Sequence, residues 1–373
     1  MMKRREFITL LGAAAAWPLA ARAQAPKNVP RLCFLTFDPS TLQSNRSDAF
    51  FQGLRDLGYA NGQNLAIDYL SAAGDGDRFP ALAAECLRLK ADVIVVTTTP
   101  AAQAAMAATH TVPIIMIGLG DPVRTGLVKN LAQPGANVTG LSLMVPEVAA
   151  KRVGLLKEAI PRISRVLVLS YLADPIAPLQ MKALEEAAPS LGVTLQVHDI
   201  RTADDLPAAF DAAAKEHAEA LLTTAESLFV AQGARVTELA AHYKLPAMYC
   251  YSTHVANFGG LMAYDVSYPD VIRRAASYVD RILKGAKASA LPVEQPTKFE
   301  FSINLKTAKT LSLTIPPGVL AIGADRHAED LRARARRLAR RGGAGAAWPI
   351  FCKSADTRCS RRLSPASASA RTS

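Results

Sequence analysis

The sequence predicts an α/β protein of two doubly wound parallel-sheet lobes joined by a hinge, on three observations. Short apolar runs alternate with amphipathic segments from about residue 28 onward, the pattern of parallel strands buried on both faces and covered by helices. The alternation comes as two series in tandem, divided near Pro146, each long enough for a lobe of common domain size. Beyond the second series, residues 257–323 add a strand, a helix and a strand, which implies that the chain crosses back.

The elements follow in order. Arg31–Phe37 reads as the first strand and Asp48–Leu57 as a helix closed by Gly58. Leu65–Leu70 is a strand, Phe79–Lys90 a helix, Asp92–Thr97 a strand, Ala101–Ala108 a helix and Pro113–Gly118 a strand. Pro146 suits the first position of a helix, 147–159. Strand Val166–Ser170, helix 178–191, strand Val193–Val197, helix 204–217, strand Ala220–Thr223, helix 227–243 and strand Ala247–Tyr251 complete the second series. Gly259–Tyr264 reads as a strand, Pro269–Leu283 as an amphipathic helix, and Lys298–Ile303 as a strand with period-two alternation. The first lobe is therefore expected to hold 28–143 plus 266–323 and the second 144–265. Three crossings between them would make a hinge that closes on a ligand.

The chain of 373 residues has a formal net charge of +11, which on a folded face would suggest a nucleic acid or an anionic membrane as partner. The charge is confined to the ends: residues 25–323 carry 27 basic and 27 acidic side chains. No nucleic-acid partner is expected. At the start, Lys3-Arg4-Arg5, an apolar stretch from Phe7 to Leu19 and Ala21-Arg22-Ala23 form an export signal over 1–23, too short to span a bilayer. Arg4-Arg5-Glu6-Phe7-Ile8 fits either a twin-arginine or an ordinary secretory route. With no cysteine at the cleavage point, a free periplasmic protein, a monomer, is expected. Residues 324–373 alternate Ala and Arg without an apolar stripe, so this basic low-complexity tail is expected to be disordered, being either a replaced ending or an authentic basic extension.

The five cysteines form no metal-like spacing with the six histidines, and Cys33 and Cys86 lie in apolar patterns that suit buried small hydrophobes. A Cys33–Cys86 or a Cys86–Cys250 bridge stays open. GxSxG, HExxH and Walker A motifs are missing, and Gly118-Leu119-Gly120 lacks the third glycine of a dinucleotide loop. No catalytic residue, metal or cofactor is expected, and the chain is read as a binding protein, not an enzyme.

In open α/β sheets ligands sit beyond the carboxyl ends of the strands. In the first lobe those ends offer Phe37 and Asp38, then Thr98, Thr99 and Ala101, then Gly118 and Asp121. Thr98 and Thr99 precede a helix whose freed N–H groups and dipole favour a carboxylate. Asp121 before Pro122 is either a cap or an acceptor for a ligand ammonium. The second lobe offers Tyr171, Asp174, Glu226, Tyr251, Ser252 and Asp265. Glu226 and Asp265 suit an amine, and Phe37 and Tyr171 suit a ring.

Five segments carry a family resemblance: FFQGLRDLGYANGQNLAIDY, ALAAECLRLKADVIVVTTTPAAQAA, GDPVRTGLVKNLAQPGANVTGLS, AAKRVGLLKEAIP and RRAASYVDRILKGAKASALPVEQPTKFEFSINLKTAKTLSLTIPP. Together, from about residue 30 to about 322, they resemble the ABC transporter substrate-binding family that includes tryptophan- and tyrosine-type binders. The resemblance implies a type I periplasmic-binding-protein fold and a small organic solute, an amino acid or an aromatic or other organic acid, captured between lobes. It also implies delivery to an inner-membrane ABC permease driven by a separate ATPase. Where many relatives carry Asn after the Val166–Ser170 strand, this chain has Tyr171-Leu172-Ala173-Asp174, so tryptophan-like specificity is not carried over. An exported protein that presents its ligand to a sensor receptor, or an exported α/β enzyme, are the other readings.

Overall fold

The computed structural model describes residues 29–39 and 45–322; the expected signal segment and the basic tail lie outside the described residues. In the first lobe five strands run in the order β2-β1-β3-β4-β5. These are β1 (Arg31–Thr36), β2 (Ala66–Ser71), β3 (Val93–Val96), β4 (Ile114–Leu119) and β5 (Val138–Ser142), all parallel. Interior strands β1, β3 and β4 are apolar and almost wholly buried, as parallel strands covered on both faces must be, whereas the edge strand β2 is only half-buried. Helices α1 (Asn45–Asp56), α2 (Phe79–Arg88) and α3 (Thr99–Ala108) connect them.

The second lobe begins with α4 (Val145–Ala159), whose N-cap Met144 has a left-handed backbone at the first crossing. Its sheet has six strands in the order β11-β10-β9-β8-β6-β7. They are β6 (Arg165–Ser170), β7 (Thr194–Asp199), β8 (Ala220–Thr223), β9 (Ala247–Tyr249), β10 (Met262–Val266) and β11 (Phe299–Ile303). Every pairing is parallel except β10 with β11. The connecting helices are α5 (Ala177–Ala187), α6 (Asp205–Lys215), α7 (Ser227–Ala231), α8 (Gly233–His242) and α9 (Ser252–Phe258). The single helix read over 227–243 is thus two, parted at Gln232, and Gly233 lies so close to Phe258 that an added Cβ would stand 2.8 Å from its ring.

After β10 the chain returns to the first lobe as α10 (Tyr268–Leu283). This helix lies on α1, where an added Cβ on Gly53 would stand 2.8 Å from the Ala276 side chain, and the Tyr59 hydroxyl donates to Asp280 (3.1 Å). Residues 291–294 then run beside β5: the Glu294 N–H donates to the Gly140 carbonyl (3.0 Å) and the Ser142 N–H donates to that of Glu294 (2.8 Å). The expected assignment of all of 266–323 to the first lobe is corrected at this point. From Phe299 the chain pairs antiparallel with β10, and α11 (Leu305–Thr310), Ile315 and Val319 pack into the second lobe with Val148 and Leu156. Leaving after β10 exposes that strand's edge, and the returning segment covers it. Alternation in residues 298–303 signalled a strand but not which sheet would receive it.

Strand β5 was not anticipated, because VTGLS has few apolar residues and a central glycine. Gly140 is needed: its φ is +132°, and a Cβ there would stand 2.2 Å from the Met116 carbonyl oxygen. The cysteines also differ from the simplest expectation. Cys33 on β1 and Cys86 on α2 form a disulfide (Cα–Cα 5.8 Å), and Cys250 is a buried free thiol.

Candidate functional site

The carboxyl ends of both parallel sheets open onto one cleft, whose empty space, open solvent included, is about 740 Å³. From the first lobe come Thr97–Thr99 after β3, Ile117–Gly120 at the end of β4, and the side chains of Phe34 and Phe50. The second lobe supplies Asp174 and Ile176 after β6, Ala225 and Ser227 after β8, and Tyr251 after β9. The crossings contribute too, with Leu143 and Val145 at the first and Tyr268 and Ile272 at the second.

Three threonines at the end of β3 have separate roles. The Thr97 hydroxyl donates to the Leu35 carbonyl (3.3 Å) and fixes the loop to β1. Thr98 is the N-cap of α3, its hydroxyl accepting the Ala101 N–H (3.2 Å), with Pro100 in the first turn. Thr99 is buried on the cleft wall, and its hydroxyl has no hydrogen-bond partner among the described residues. A helix N-terminus so presented favours an anion.

Across the cleft, Asp174 is almost fully buried in the turn between β6 and α5, where its carboxylate accepts the Ile176 N–H (3.1 Å). Burial pushes its pKa up to about 6, a shift that the Ile176 hydrogen bond offsets in part. A desolvated carboxylate facing a cavity is a receptor for a positive group. Glu226 lies behind it, completely buried, accepting from Gln180 Nε2 (2.6 Å) and in contact with the Thr224 hydroxyl (2.5 Å). Its pKa is pushed up to about 8, first by burial and then by the Asp174 charge.

Around these polar groups the walls are apolar and aromatic. Phe34 and Phe50 meet at 5.6 Å between ring centroids, and Tyr251 meets Tyr268 edge-on at 5.8 Å. The lobes also touch at the mouth. A Cβ added to Gly120 of the first lobe would stand 2.3 Å from Ile176 Cδ1 of the second, and one on Gly76 would stand 3.8 Å from the Tyr171 hydroxyl. Burial, then the charges of Asp174, Asp77 and Asp75, raise the Tyr171 pKa.

Of the residues singled out in the sequence, Thr98, Thr99, Gly118, Asp174 and Tyr251 line the cleft. The others are elsewhere. Phe37 is buried in the first core and Ala101 inside α3; Asp38 stands half-buried off the cleft wall. Asp121 caps its own turn by accepting the Val123 and Arg124 N–H groups (3.1 and 3.0 Å), with Arg124 beside it. Ser252 opens α9, and Asp265 is buried at the end of β10, accepting the Val266 N–H (2.7 Å). Glu226 stands behind Asp174 and Tyr171 spans the mouth. Gly120, Ile176, Tyr268 and Ile272 were missed; the start of an amphipathic helix directly after a crossing was the signal for the last two.

A family model described as ABC transporter substrate binding protein matches residues 39–327. A tyrosine-binding protein of Clostridioides difficile (strain R20291) is 28% identical over 264 residues, 71% of this chain and 75% of that protein. The ABC domain of Streptococcus pneumoniae in complex with L-Trp is 25% identical with a TM-score of 0.72, covering 79% of this chain and 98% of that one. The ligand-free, open structure of a substrate-binding protein with adhesive properties from Clostridium difficile is 26% identical with a TM-score of 0.57, covering 78% and 97%. With two parallel-dominated α/β lobes about one cleft and a family match over most of its length, the chain belongs to the ABC transporter substrate-binding protein family, with the type I periplasmic-binding-protein fold.

Proposed function

We propose that this protein is the exported solute-binding component of an ABC importer, that it captures a free amino acid with an apolar or aromatic side chain, and that it delivers it to a permease. The observation that carries the reading is the pairing of an anion-favouring helix N-terminus on one lobe with a buried carboxylate on the other. A zwitterion satisfies both at once. The ligand carboxylate goes to Thr99 and the start of α3, the ammonium to Asp174, and the side chain to the walls formed by Phe34, Phe50, Tyr251 and Tyr268. The relatives that bind tyrosine and L-Trp support this class.

Work is done by closure and not by bond chemistry. At nearly equal identity the chain is nearer in shape to the L-Trp complex than to the open, ligand-free relative, which supports a closed arrangement with the lobes touching at Gly120 and Ile176. A ligand that bridges both lobes stabilises the closed form relative to the open one, and the closed surface is what a permease reads.

The test is a thermal-shift series with L-tyrosine, L-tryptophan and L-leucine beside analogues lacking the ammonium or the carboxylate. The expected result is a saturable rise in Tm for at least one amino acid and little for its analogues. An equal response to the analogue without the ammonium would refute the role given to Asp174. No response to any amino acid would refute the ligand class.

A further inference from the structure

Arg152 is a cation buried to 2% exposure, two turns into α4, the helix that begins at the first crossing. It is not part of the cleft lining. Its neighbours on the helix, Val148, Ala149, Val153, Leu155 and Leu156, are apolar and buried, so an aliphatic side chain would pack here without the cost of desolvating a charge. The guanidinium instead lays one edge along the sheet: Nε donates to the Tyr264 carbonyl (2.8 Å) and Nη2 to the Cys250 carbonyl (3.1 Å). Nη1 is buried with no hydrogen-bond partner among the described residues. The pose is therefore set by two backbone carbonyls, one at the end of each of the neighbouring strands β9 and β10. A rigid planar fork suits two acceptors held apart, whereas the ammonium of a lysine is a compact point donor. Both carbonyls lead into the cleft wall. Cys250 directly precedes Tyr251, and Tyr264 stands one helical turn's worth of chain before Tyr268, at the second crossing; these two rings meet edge-on at 5.8 Å and both line the cleft.

We propose that Arg152 is a positioning residue for the Tyr251–Tyr268 pair: by holding the carbonyls at the ends of β9 and β10 to α4, it sets the aromatic wall against which the ligand side chain packs. One side chain then joins the first crossing, through α4, to the second, which leaves β10 at Val266. Closure moves both crossings, and with the fork in place the two rings keep their mutual arrangement while the lobes turn. Preference for a ring over an aliphatic side chain is thereby set from behind the wall, by a residue outside the cleft. The direction of that preference rests on the function proposed above; the positioning of the two tyrosines does not.

The experiment compares the full protein with Arg152→Lys, which keeps the charge and loses the fork, and with Arg152→Met, which loses both. Each protein is labelled with 3-fluorotyrosine, and the fluorine signals of the two rings are assigned with Tyr251→Phe and Tyr268→Phe. Without ligand, both signals should move in each Arg152 variant, while those of Tyr69 and Tyr243, which stand away from the cleft, should not. A signal of either ring that stays in place, in either variant, overturns the proposal. With L-tryptophan and L-leucine as probes, affinity for L-tryptophan should fall about tenfold in Arg152→Met, the worth of one charge-assisted hydrogen bond, and affinity for L-leucine less than about threefold. Equal losses, which a general loosening of the lobe would give, overturn it as well. Absence of binding of both probes to the wild type counts against the ligand class alone, and the ligand-free spectra still decide. Should neither variant fold, hydrogen exchange at the Arg152 Nε–H of the wild type decides: it must be slow, and exchange as fast as that of the exposed Arg162 overturns the assignment.

Discussion

In the proposed mode of binding, Asp174 meets opposite demands in the empty and the loaded protein. Its burial raises the pKa to about 6, so the folded, ligand-free state is strained by the charge near neutral pH and relieved on acidification. The stability linked to this group is present below the unfolded-state value and lost as pH rises through about 6. Binding of an ammonium runs the other way, because it requires the charged form. Affinity is therefore expected to fall as pH drops below about 6, approaching tenfold per pH unit, when followed by titration calorimetry. Asp174→Asn should raise ligand-free stability by about 1–3 kcal/mol at neutral pH and weaken amino-acid binding more than tenfold, a pairing of outcomes that denaturation and calorimetry check together. Thr98 and Asp174 were legible in the sequence because both stand just past a strand end. Asp121 and Asp265 stand there too, but local backbone donors hold them, and which carboxylate a turn occupies depends on a geometry that residue order does not carry.

Among the elements, the strands buried on both faces were the most legible: VIVV, and VLVL within RVLVLS, are continuous apolar runs with no other stable home. Strand β5 was not, since its place depends on Gly140 fitting against Met116 and on residues 291–294 covering its outer edge. The Cys33–Cys86 bridge was open for a related reason: β1 and α2 become neighbours only once the sheet order is set. The bridge closes a sequence separation of 53 residues, and the chain-entropy model gives it about 4 kcal/mol. Reduction, or the double variant Cys33→Ala/Cys86→Ala, should lower the stability of the first lobe by about 2–4 kcal/mol in denaturant titrations; an unchanged midpoint would mean the bridge contributes nothing.

For the whole molecule, the proposed closure would turn on small residues at the mouth. Gly120→Ala places a methyl group where Ile176 now lies, so it should hold the lobes apart without disturbing either core. Small-angle scattering is expected to show less compaction with ligand, and affinity should fall about tenfold, with ligand-free Tm unchanged. In the unaltered protein Tm should climb with the logarithm of ligand concentration once that exceeds Kd. Both lobes are also discontinuous in sequence, and this reaches back to biosynthesis. The first sheet lacks its covering helix α10 until residue 283 has been made, and β10 keeps a bare edge until β11 is complete at residue 303. At about 5–20 residues per second, a ribosome spends many seconds between the first sheet's last strand and that helix, with much of the chain unable to settle. Neither lobe can finish folding while most of the chain is still being made, so the interval in which a chaperone or an export machine could hold the nascent chain is written into the order of its strands.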